Sequence, residues 1–304
     1  MNGVWNRFLN KTEILHFYFQ MKRNIYLFLT LLLLSICSHV KAQLREGYLR
    51  VGVSVGATNY QGDLSDDHLS TLLAARPGFG LMAAYHFNSI FSARLSLQHG
   101  WVQASDASSS RPGKVRRNLS FKSPITEMSA QLVFDFIPTD RAYAYRPKLT
   151  PYGFAGIGIF TFNPKARLNG EWIELQPLGT EGQYLPDPDN RYPDPYNLAQ
   201  ISVPVGFGLR YALGRQWNIE LESGLRKTWT DHLDDVSTYY PNQEDLAAQN
   251  PTAALLSSRT DLAAYPLGNP AGSMRGNPEN DDWYVFTNIT LSFIIDQVKC
   301  PSFR

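Results

Sequence analysis

Apolar and polar residues alternate with a period of two along many segments of the chain after residue 43. In residues 217–229, one face carries tryptophan, isoleucine and leucine, and the other carries asparagine, glutamate and arginine. This period is that of a β-strand, because a helix would mix the two sets of side chains. Segment 78–87 alternates less cleanly, and segment 152–162 is rich in glycine, so that its facing is ambiguous. In all, the pattern predicts eight strands, over 49–56, 78–87, 91–98, 125–136, 152–162, 202–211, 217–229 and 284–293.

The connections between these strands alternate between short and long. The short ones are 88–89, 137–148 and 214–216, and the long ones are 61–76, 106–120, 163–199 and 231–281. Membrane barrels have short periplasmic turns, long outer loops and tilted strands of about 9–11 residues. The sequence therefore predicts an all-β fold, an eight-stranded antiparallel up-and-down transmembrane β-barrel with long outer loops. Loops of this length are expected to be either binding surfaces or disordered segments.

Aromatic residues cluster near the predicted strand ends, as in the two interfacial girdles of membrane barrels. We assign to the short-turn girdle Tyr48, Tyr85, Phe87, Phe91, Phe134, Phe136, Tyr152, Tyr211, Trp217 and Phe293. We assign to the long-loop girdle Tyr60, Phe79, Trp101, Phe121, Phe160, Phe162, Trp229, Trp283 and Tyr284. Three prolines are expected near strand ends, where a missing N–H is tolerated: Pro124, Pro151 and Pro204.

The start of the chain has the pattern of an export signal. Lys22 and Arg23 precede an apolar run that ends at Cys37, and residues 40–42 offer small residues to a signal peptidase. We therefore expect residues 1–42 to be a signal peptide and residues 43–304 to form the outer-membrane β-barrel domain. An apolar run of roughly 13 residues is too short to span a hydrocarbon core of about 30 Å, which disfavours a permanent anchor.

Two further expectations concern the same segment. Residues 1–20 lack the signal pattern, so we expect translation to start at Met21. Cys37 is a near miss to a lipoprotein site, but the bulky Ile36 stands where a small residue is needed, which disfavours lipidation.

Composition and charge narrow the function classes. A hydrophobic fraction of 43% and a charged fraction of 18% are near globular averages and exclude a disordered chain or a bundle of transmembrane helices. The 28 basic residues balance 27 acidic ones, which argues against nucleic-acid binding. Loss of residues 1–42 removes five basic residues and one acidic residue, so the mature chain has a formal net charge of −3. It also removes Cys37 and leaves a single cysteine, Cys300, so no intramolecular disulfide can form.

Eight charged residues are expected on the inner faces of the strands. An eight-stranded barrel has an interior that side chains can just fill, so an open channel is not expected. Unpaired charges in such an interior would be costly, so we expect pairing into a structural lumen network, a polar plug, in preference to a path for protons or ions. The network comprises Arg50, Arg94, Glu127, Asp135, Arg210, Glu220, Glu222 and Arg226.

Two loop segments carry acidic and histidine residues that could meet at the barrel rim. They are Asp66-Asp67-His68 in the first long loop and Asp231-His232 with Asp234-Asp235 in the last. Such groups can activate water or hold a divalent cation, and some membrane barrels carry rim enzymes. Their spacing matches no specific motif, so solvated loop carboxylates are the preferred interpretation. We expect no catalytic residues, metal or cofactor.

The C-terminal tail, 296–304, follows the last predicted strand and is expected to be periplasmic. It contains Cys300. We interpret Cys300 as a free thiol, with a contact point or mixed disulfide with a periplasmic partner as the alternative.

Three segments resemble a known family: Asn59–Leu64, Phe162–Ala166 and Leu175–Gln183, the last reading Leu-Gln-Pro-Leu-Gly-Thr-Glu-Gly-Gln. They are similar to the PorG-like outer-membrane β-barrels, a family with a component of the type IX secretion system. The resemblance covers nearly all of residues 43–304, and it does not separate that component from paralogues without a secretion role. It implies a non-enzymatic barrel that contacts a periplasmic ring formed by a lipoprotein and its partner protein.

These observations give three functional hypotheses. The first is an anchoring and interaction component of type IX protein secretion or gliding machinery in the outer membrane of a diderm bacterium, in contact with membrane lipid. The second is a general structural or adhesin-like barrel whose outer loops bind ligands. The third is a hydrolase that is active at the rim.

Overall fold

The computed structural model describes residues 47–65, 75–138, 146–187, 189, 191–266 and 268–295. The predicted signal peptide and the tail with Cys300 lie outside the described residues, as do Asp66, Asp67 and His68. Eight long strands are β1 (Tyr48–Gln61), β2 (Arg76–His86), β3 (Phe91–Ser105), β4 (Ser120–Asp135), β5 (Leu149–Phe162), β8 (Ala199–Ala212), β9 (Trp217–Thr228) and β10 (Trp283–Ile295).

These strands form a closed barrel. Each pairs antiparallel with its neighbour along the chain, with β5 pairing to β8. The first and last strands complete the circle in a register that runs from Leu49 opposite Ile295 to Gln61 opposite Trp283. The predicted eight-stranded antiparallel barrel is confirmed. No helix among the described residues is long and apolar enough to cross a membrane.

The alternation of side chains gives the barrel an apolar outside. Outward residues of the strands are large, hydrophobic and exposed, and they include Val55, Leu81, Met128, Ile157 and Phe207. In water such a continuous apolar surface would be unfavourable, whereas lipid chains would cover it. The exterior is therefore that of a membrane-spanning barrel.

The long-loop girdle contains fewer of the assigned aromatic residues than predicted. Phe79, Trp101, Trp229 and Trp283 do lie on the outside of the barrel. Assignment of the other five residues to this girdle is wrong, because they are nearly inaccessible and point into the barrel: Tyr60, Phe121, Phe160, Phe162 and Tyr284. Tyr152 of the short-turn girdle also points inward, with 1% of its surface exposed.

Pro204 lies in the interior of β8, because the strand begins at Ala199, earlier than predicted. The prediction that this proline sits near a strand end is therefore wrong. The ladder between β5 and β8 has pairs at Ala155–Val205 and Gly158–Ser202 but none at the two positions between them. A proline has no N–H to donate to a neighbouring strand, which accounts for an interruption at this point.

The long loops contain short elements that the strand pattern did not predict. Among the described residues they are a hairpin of β6 (Lys165–Leu168) and β7 (Glu171–Glu174), and three α-helices, α1 (Pro112–Arg117), α2 (Gln243–Gln249) and α3 (Pro251–Ser257). Two single turns of 3-10 helix, Asp106–Ser108 and Gln176–Leu178, complete the set. Asn242 and Asn250 each cap the following helix by accepting hydrogen bonds from backbone N–H groups. We call the described residues of the four long loops the cap. The described residues of the cap are folded, with buried side chains such as Leu246 and Leu256, so the expectation of disorder is wrong for them. The alternative expectation, a binding surface, stays a prediction.

Candidate functional site

The lumen near the short-turn end holds the first part of the predicted charge network. The Arg50 guanidinium lies 2.7 Å from the Glu220 carboxylate, and the Arg210 guanidinium lies 2.8 Å from Asp135 and 3.5 Å from Glu220. Ser292 donates a further hydrogen bond of 2.6 Å to Glu220. The Glu220 carboxylate thus lies between two arginines and accepts a hydrogen bond from a third residue, Ser292.

The middle of the lumen holds a second ion pair. Arg94 lies 2.5 Å from Glu222 and donates from Nε to Gln131 at 2.7 Å. Its guanidinium also lies over the ring of Phe154, 4.6 Å from the centroid. Tyr152 donates to Glu222 at 3.0 Å. The arginine therefore has both a carboxylate and an aromatic face as partners.

A third ion pair, between Arg226 and Glu127, lies between the Arg94–Glu222 pair and the outer half of the barrel. Arg226 Nε lies 3.5 Å from the Glu127 carboxylate, and another arginine nitrogen lies 3.3 Å from Gln98. Tyr284 and Ser202 donate to the same oxygen of Glu127, at 2.7 and 3.2 Å. The structure thus brings together all eight residues of the predicted lumen network, each at most 6% exposed.

Above the charges, aromatic and aliphatic side chains fill the outer half of the lumen. They come from the inner faces of the strands and from the cap, where Leu233, Val236 and Tyr196 contribute. The last long loop therefore folds down into the barrel mouth. The strand residues of this apolar layer are Tyr60, Val102, Phe121, Ile125, Phe160, Phe162, Tyr284 and Phe286.

An acidic cluster lies at the junction of this apolar layer and the cap. The Tyr60 hydroxyl lies 2.5 Å from an oxygen of Asp234 and 3.0 Å from an oxygen of Asp282. The second oxygen of each carboxyl accepts a backbone N–H, from Val236 and Leu233 respectively, both at 2.9 Å. Asp234 and Asp282 are at most 1% exposed. We refer to Tyr60, Asp234 and Asp282 as the Tyr60 cluster.

The four acidic and histidine residues that the sequence placed at the rim in the last long loop lie within residues 231–235, and one of them, Asp234, belongs to the Tyr60 cluster. Asp231, Asp234 and Asp235 are buried, with 8%, 1% and 1% of their surface exposed, so the interpretation as solvated loop carboxylates is wrong. Their burial follows from the folding of the loop into the barrel mouth. His232 stacks on Tyr196 with ring centroids 4.4 Å apart. Among the described residues, no group of three or more His, Cys, Asp or Glu side chains is arranged to hold a metal ion.

Two arginines tie the cap together. Arg275 binds the Glu181 carboxylate at 2.8 Å and lies 3.6 Å from Asp235. Glu181 also accepts backbone hydrogen bonds from residues 237 and 238 of the last long loop. Arg117 of α1 binds Asp106 at 2.7 Å and donates to the backbone carbonyl of Asp63 at 3.2 Å. The Arg275–Glu181 ion pair therefore joins the third and last long loops, and Arg117 of the second loop joins the first and last by hydrogen bonds to the backbone carbonyls of Asp63 and Arg275.

Burial and like charge raise the pKa of several carboxyls in the cap. Burial, with repulsion from Asp234, raises the pKa of Asp231 to about 9. Burial raises the pKa of Asp235 to about 6, while the adjacent Arg275 opposes this shift. The pKa values of Asp234 and Asp282 are likewise raised, first by burial and then by neighbouring carboxylates. In contrast, burial lowers the pKa of His232, which favours the neutral imidazole.

The short-turn end has a contact that joins two turns. Arg146 donates to the backbone carbonyls of Gly214, Arg215 and Trp217, at 3.0, 2.7 and 3.1 Å. It also donates to the Asn218 side chain at 2.8 Å. Arg146, which precedes β5, is thereby bound to the turn between β8 and β9.

Sequence reasoning missed Tyr60 and Asp282 as members of the Tyr60 cluster, and Glu181 and Arg275 as an ion pair of the cap. Glu181 lies within the Leu175–Gln183 segment that carries the family resemblance, so the segment itself could be singled out in the sequence. Its partner Arg275 is 94 residues away, so the pairing could not. For Tyr60 a signal did exist. It has the same strand parity as Arg50, which places it inside the barrel.

The family comparison matches residues 24–177 to the family described as "Domain of unknown function (DUF6089)". This is just over half of the chain. The chain belongs to this family. No curated protein matches the sequence.

Solved structures with some likeness are outer-membrane proteins. Ail of Yersinia pestis, in complex with the heparin analogue sucrose octasulfate, is 12% identical over 83% of this chain and 100% of its own, with a TM-score of 0.38. Neisserial surface protein A is 9% identical over 82% and 99%, with a TM-score of 0.39. OprG of Pseudomonas aeruginosa is 10% identical over 83% and 96%, with a TM-score of 0.35. Likeness at this level says nothing about shared function, and the barrel assignment rests on the strand pairing.

Proposed function

We propose that this DUF6089 protein is a non-enzymatic barrel of the outer membrane of a diderm bacterium, and that it anchors type IX protein secretion or gliding machinery. The observation that carries the proposal is the filled lumen. Paired charges such as Arg94–Glu222 occupy the inner half, and an apolar layer occupies the outer half. A filled barrel of eight strands offers its two ends, rather than an interior path, for contact with other molecules.

The secretion role is supported by the resemblance of three segments to the PorG-like family. In this proposal the short-turn end is periplasmic and contacts a ring formed by a lipoprotein and its partner. The contacts of Arg146 with the 214–217 turn hold that part of this end in place. A preorganised surface loses less entropy on binding than a flexible one. The tail with Cys300 would extend from the same side and add a second contact.

Affinity purification from native membranes tests the proposal. The tagged protein is expected to retain the ring lipoprotein and its partner, and exchange of the short turns for unrelated turns of equal length is expected to release them. Deletion of the gene is expected to stop secretion of cargo that carries the C-terminal secretion signal. Normal secretion of this cargo by the deletion strain would contradict the type IX role, and the barrel assignment would stand.

A second candidate is an adhesin-like barrel, and the ordered cap favours it. Several cap residues expose large apolar side chains, including Trp172, Leu255, Leu262 and Met274. Exposed apolar residues on an ordered surface are typical of interaction sites. Exchange of these residues for serine separates the candidates, because it would abolish surface attachment of an adhesin while the secretion of cargo is unaffected.

A further inference from the structure

The Tyr60 cluster contains more hydrogen-bond acceptors than ionised side chains can satisfy. The Tyr60 hydroxyl contacts carboxyl oxygens of both Asp234 and Asp282, at 2.5 and 3.0 Å. A phenol has one proton and can donate to only one of them. The other contact is a hydrogen bond only if the carboxyl itself carries a proton and donates to the phenol oxygen. Two full hydrogen bonds at these distances therefore call for a bound proton on one of the two carboxyls.

The charges that surround this cluster do not replace the proton. Arg117 of α1 is bound to Asp106, and Arg275 is bound to Glu181 and Asp235. In the described part of the chain, no arginine or lysine nitrogen lies within ion-pair distance of Asp234 or Asp282.

The remaining titratable neighbours are mostly acidic. Asp63 faces the cluster from the first long loop, where Lys114 of α1 and Arg117 partly offset its charge. Asp231 faces Asp234 and Asp282 from the last long loop. The charge of Glu181 helps to raise the pKa of Asp231, and burial lowers the pKa of His232, which favours the neutral imidazole. Full ionisation would therefore place several carboxylates together in a site with little solvent.

The position of the cluster links its protonation to the packing of the cap. The backbone of Leu233 is bound to Asp282, and that of Val236 is bound to Asp234. The side chains of Leu233 and Val236 lie in the apolar layer that fills the barrel mouth. Repulsion between the two carboxylates would therefore act on the segment that plugs the mouth.

We propose that a proton shared within the Tyr60 cluster holds the cap closed over the barrel mouth, and that the cap loosens when this proton is lost in an alkaline medium. The sign follows from linkage. The pKa of each of these carboxyls is higher in the closed state than its ordinary value of 3.8. Protonation therefore stabilises the closed state, and this stabilisation is fully present when the pH is below 3.8. This stabilisation falls progressively as the pH rises toward the raised pKa. Closure is therefore strongest in acid and weakest in alkali.

Oxidative footprinting with hydroxyl radicals, read by mass spectrometry, tests the proposal on the full chain in lipid nanodiscs. Leu233 reports on the cap because it is fully buried, and Leu262 in the same loop is the internal reference because it is 62% exposed. The ratio of modification at Leu233 to that at Leu262 is expected to rise several-fold from about pH 6 to about pH 9. A chelator is present throughout, so that no divalent cation can take the place of the proton.

Asp282→Asn is the decisive variant. Its amide can donate to the Tyr60 oxygen and accept from the Leu233 N–H, as the protonated carboxyl does, but it cannot ionise. We expect a clearly smaller rise in the ratio for this variant. The matched control is Asp281→Asn, which removes the adjacent acid that pairs with Lys227 at the surface, and it is expected to behave as the wild type. A flat ratio in the wild type, or an equal rise in Asp282→Asn, would overturn the proposal.

Infrared difference spectroscopy gives a second measurement that does not depend on the mobility of the cap. The carbonyl stretch of a protonated carboxyl is expected at about pH 6, and it should weaken on titration to about pH 9. Asp282→Asn should lose part of this band, whereas Asp281→Asn should retain it. A titration without any such band would contradict the shared proton, even if the cap were mobile.

Discussion

The Arg50 guanidinium and the Glu220 carboxylate lie 2.7 Å apart inside the barrel, on strands that are separated by β10, and each side chain is 1% exposed. Because Glu220 also lies 3.5 Å from Arg210, one carboxylate serves two buried arginines. Loss of this charge would leave Arg50 without a carboxylate partner in a site that excludes solvent, whereas Arg210 would keep its pair with Asp135.

Glu220→Gln is therefore expected to lower the free energy of unfolding by about 3–5 kcal/mol, since breaking a buried ion pair leaves an unpaired charge. The measurement is urea unfolding in lipid vesicles, followed by tryptophan fluorescence. Glu174→Gln is the control, because it breaks the exposed pair with Lys165 and should cost less than about 1 kcal/mol. Equal effects of the two variants would show that the buried lumen pair adds no more stability than the exposed pair.

A pair of glycines makes room for an aromatic ring in the lumen. Gly206 lies opposite Gly224 in the β8–β9 ladder, and a Cβ on either would come within 2.6 Å of the Phe154 ring. Gly206→Ala is expected to cost about 1–3 kcal/mol through overpacking. The same unfolding measurement applies. Gly214→Ala is the control, because a Cβ there meets nothing within 4 Å, and a matching loss in both variants would refute the packing argument.

The strands themselves should block the lumen. Replacement of residues 231–281 by a short linker removes Leu233 and Val236 but leaves the lumen pairs and aromatic rings of the strands in place. In planar lipid bilayers, both the full chain and this variant are expected to lack currents of porin size, because eight strands enclose a space that side chains fill. A porin-sized current from the variant alone would show that the loop, rather than the strands, seals the barrel.

Arg146 should control the rigidity of the short-turn end. Arg146→Lys replaces a planar group with several donors by a single ammonium, so the contacts with the 214–217 turn cannot all be kept. We expect faster amide hydrogen exchange at Trp217 and in the adjacent turn. Arg215→Lys, in the same turn but exposed, should leave the exchange unchanged. Unchanged exchange in Arg146→Lys would remove the argument for a preorganised periplasmic surface.

Much of the barrel could be predicted from the sequence, because a period of two residues encodes both the strand and its facing. The facing of Arg50 and of Glu220 follows from the alternation alone. The same parity places Tyr60 with Arg50 and Tyr284 with Asn288 on the inner face, yet their position near strand ends favoured the girdle assignment. Proximity to a strand end was thus a weaker signal than parity.

The cap could be predicted only in part. The Asn169-Gly170 pair, where both residues have positive φ, is a strong local signal for the β6–β7 hairpin. The Tyr60 cluster has no such signal, because Tyr60 and Asp282 are 222 residues apart in sequence and meet only in the closed barrel. Contacts of this kind depend on tertiary structure, which a pattern within one segment does not encode.

The seam between β1 and β10 has a consequence for the order of assembly. It joins positions such as Leu49 and Ile295, so that nearly the whole barrel chain lies between the two sides of the seam. Hairpins of neighbouring strands close short loops and can form early, whereas this seam must overcome the largest loss of chain entropy. Until it forms, two strand edges remain unpaired and open to other chains. The barrel is therefore most exposed to misassembly just before its last ladder closes.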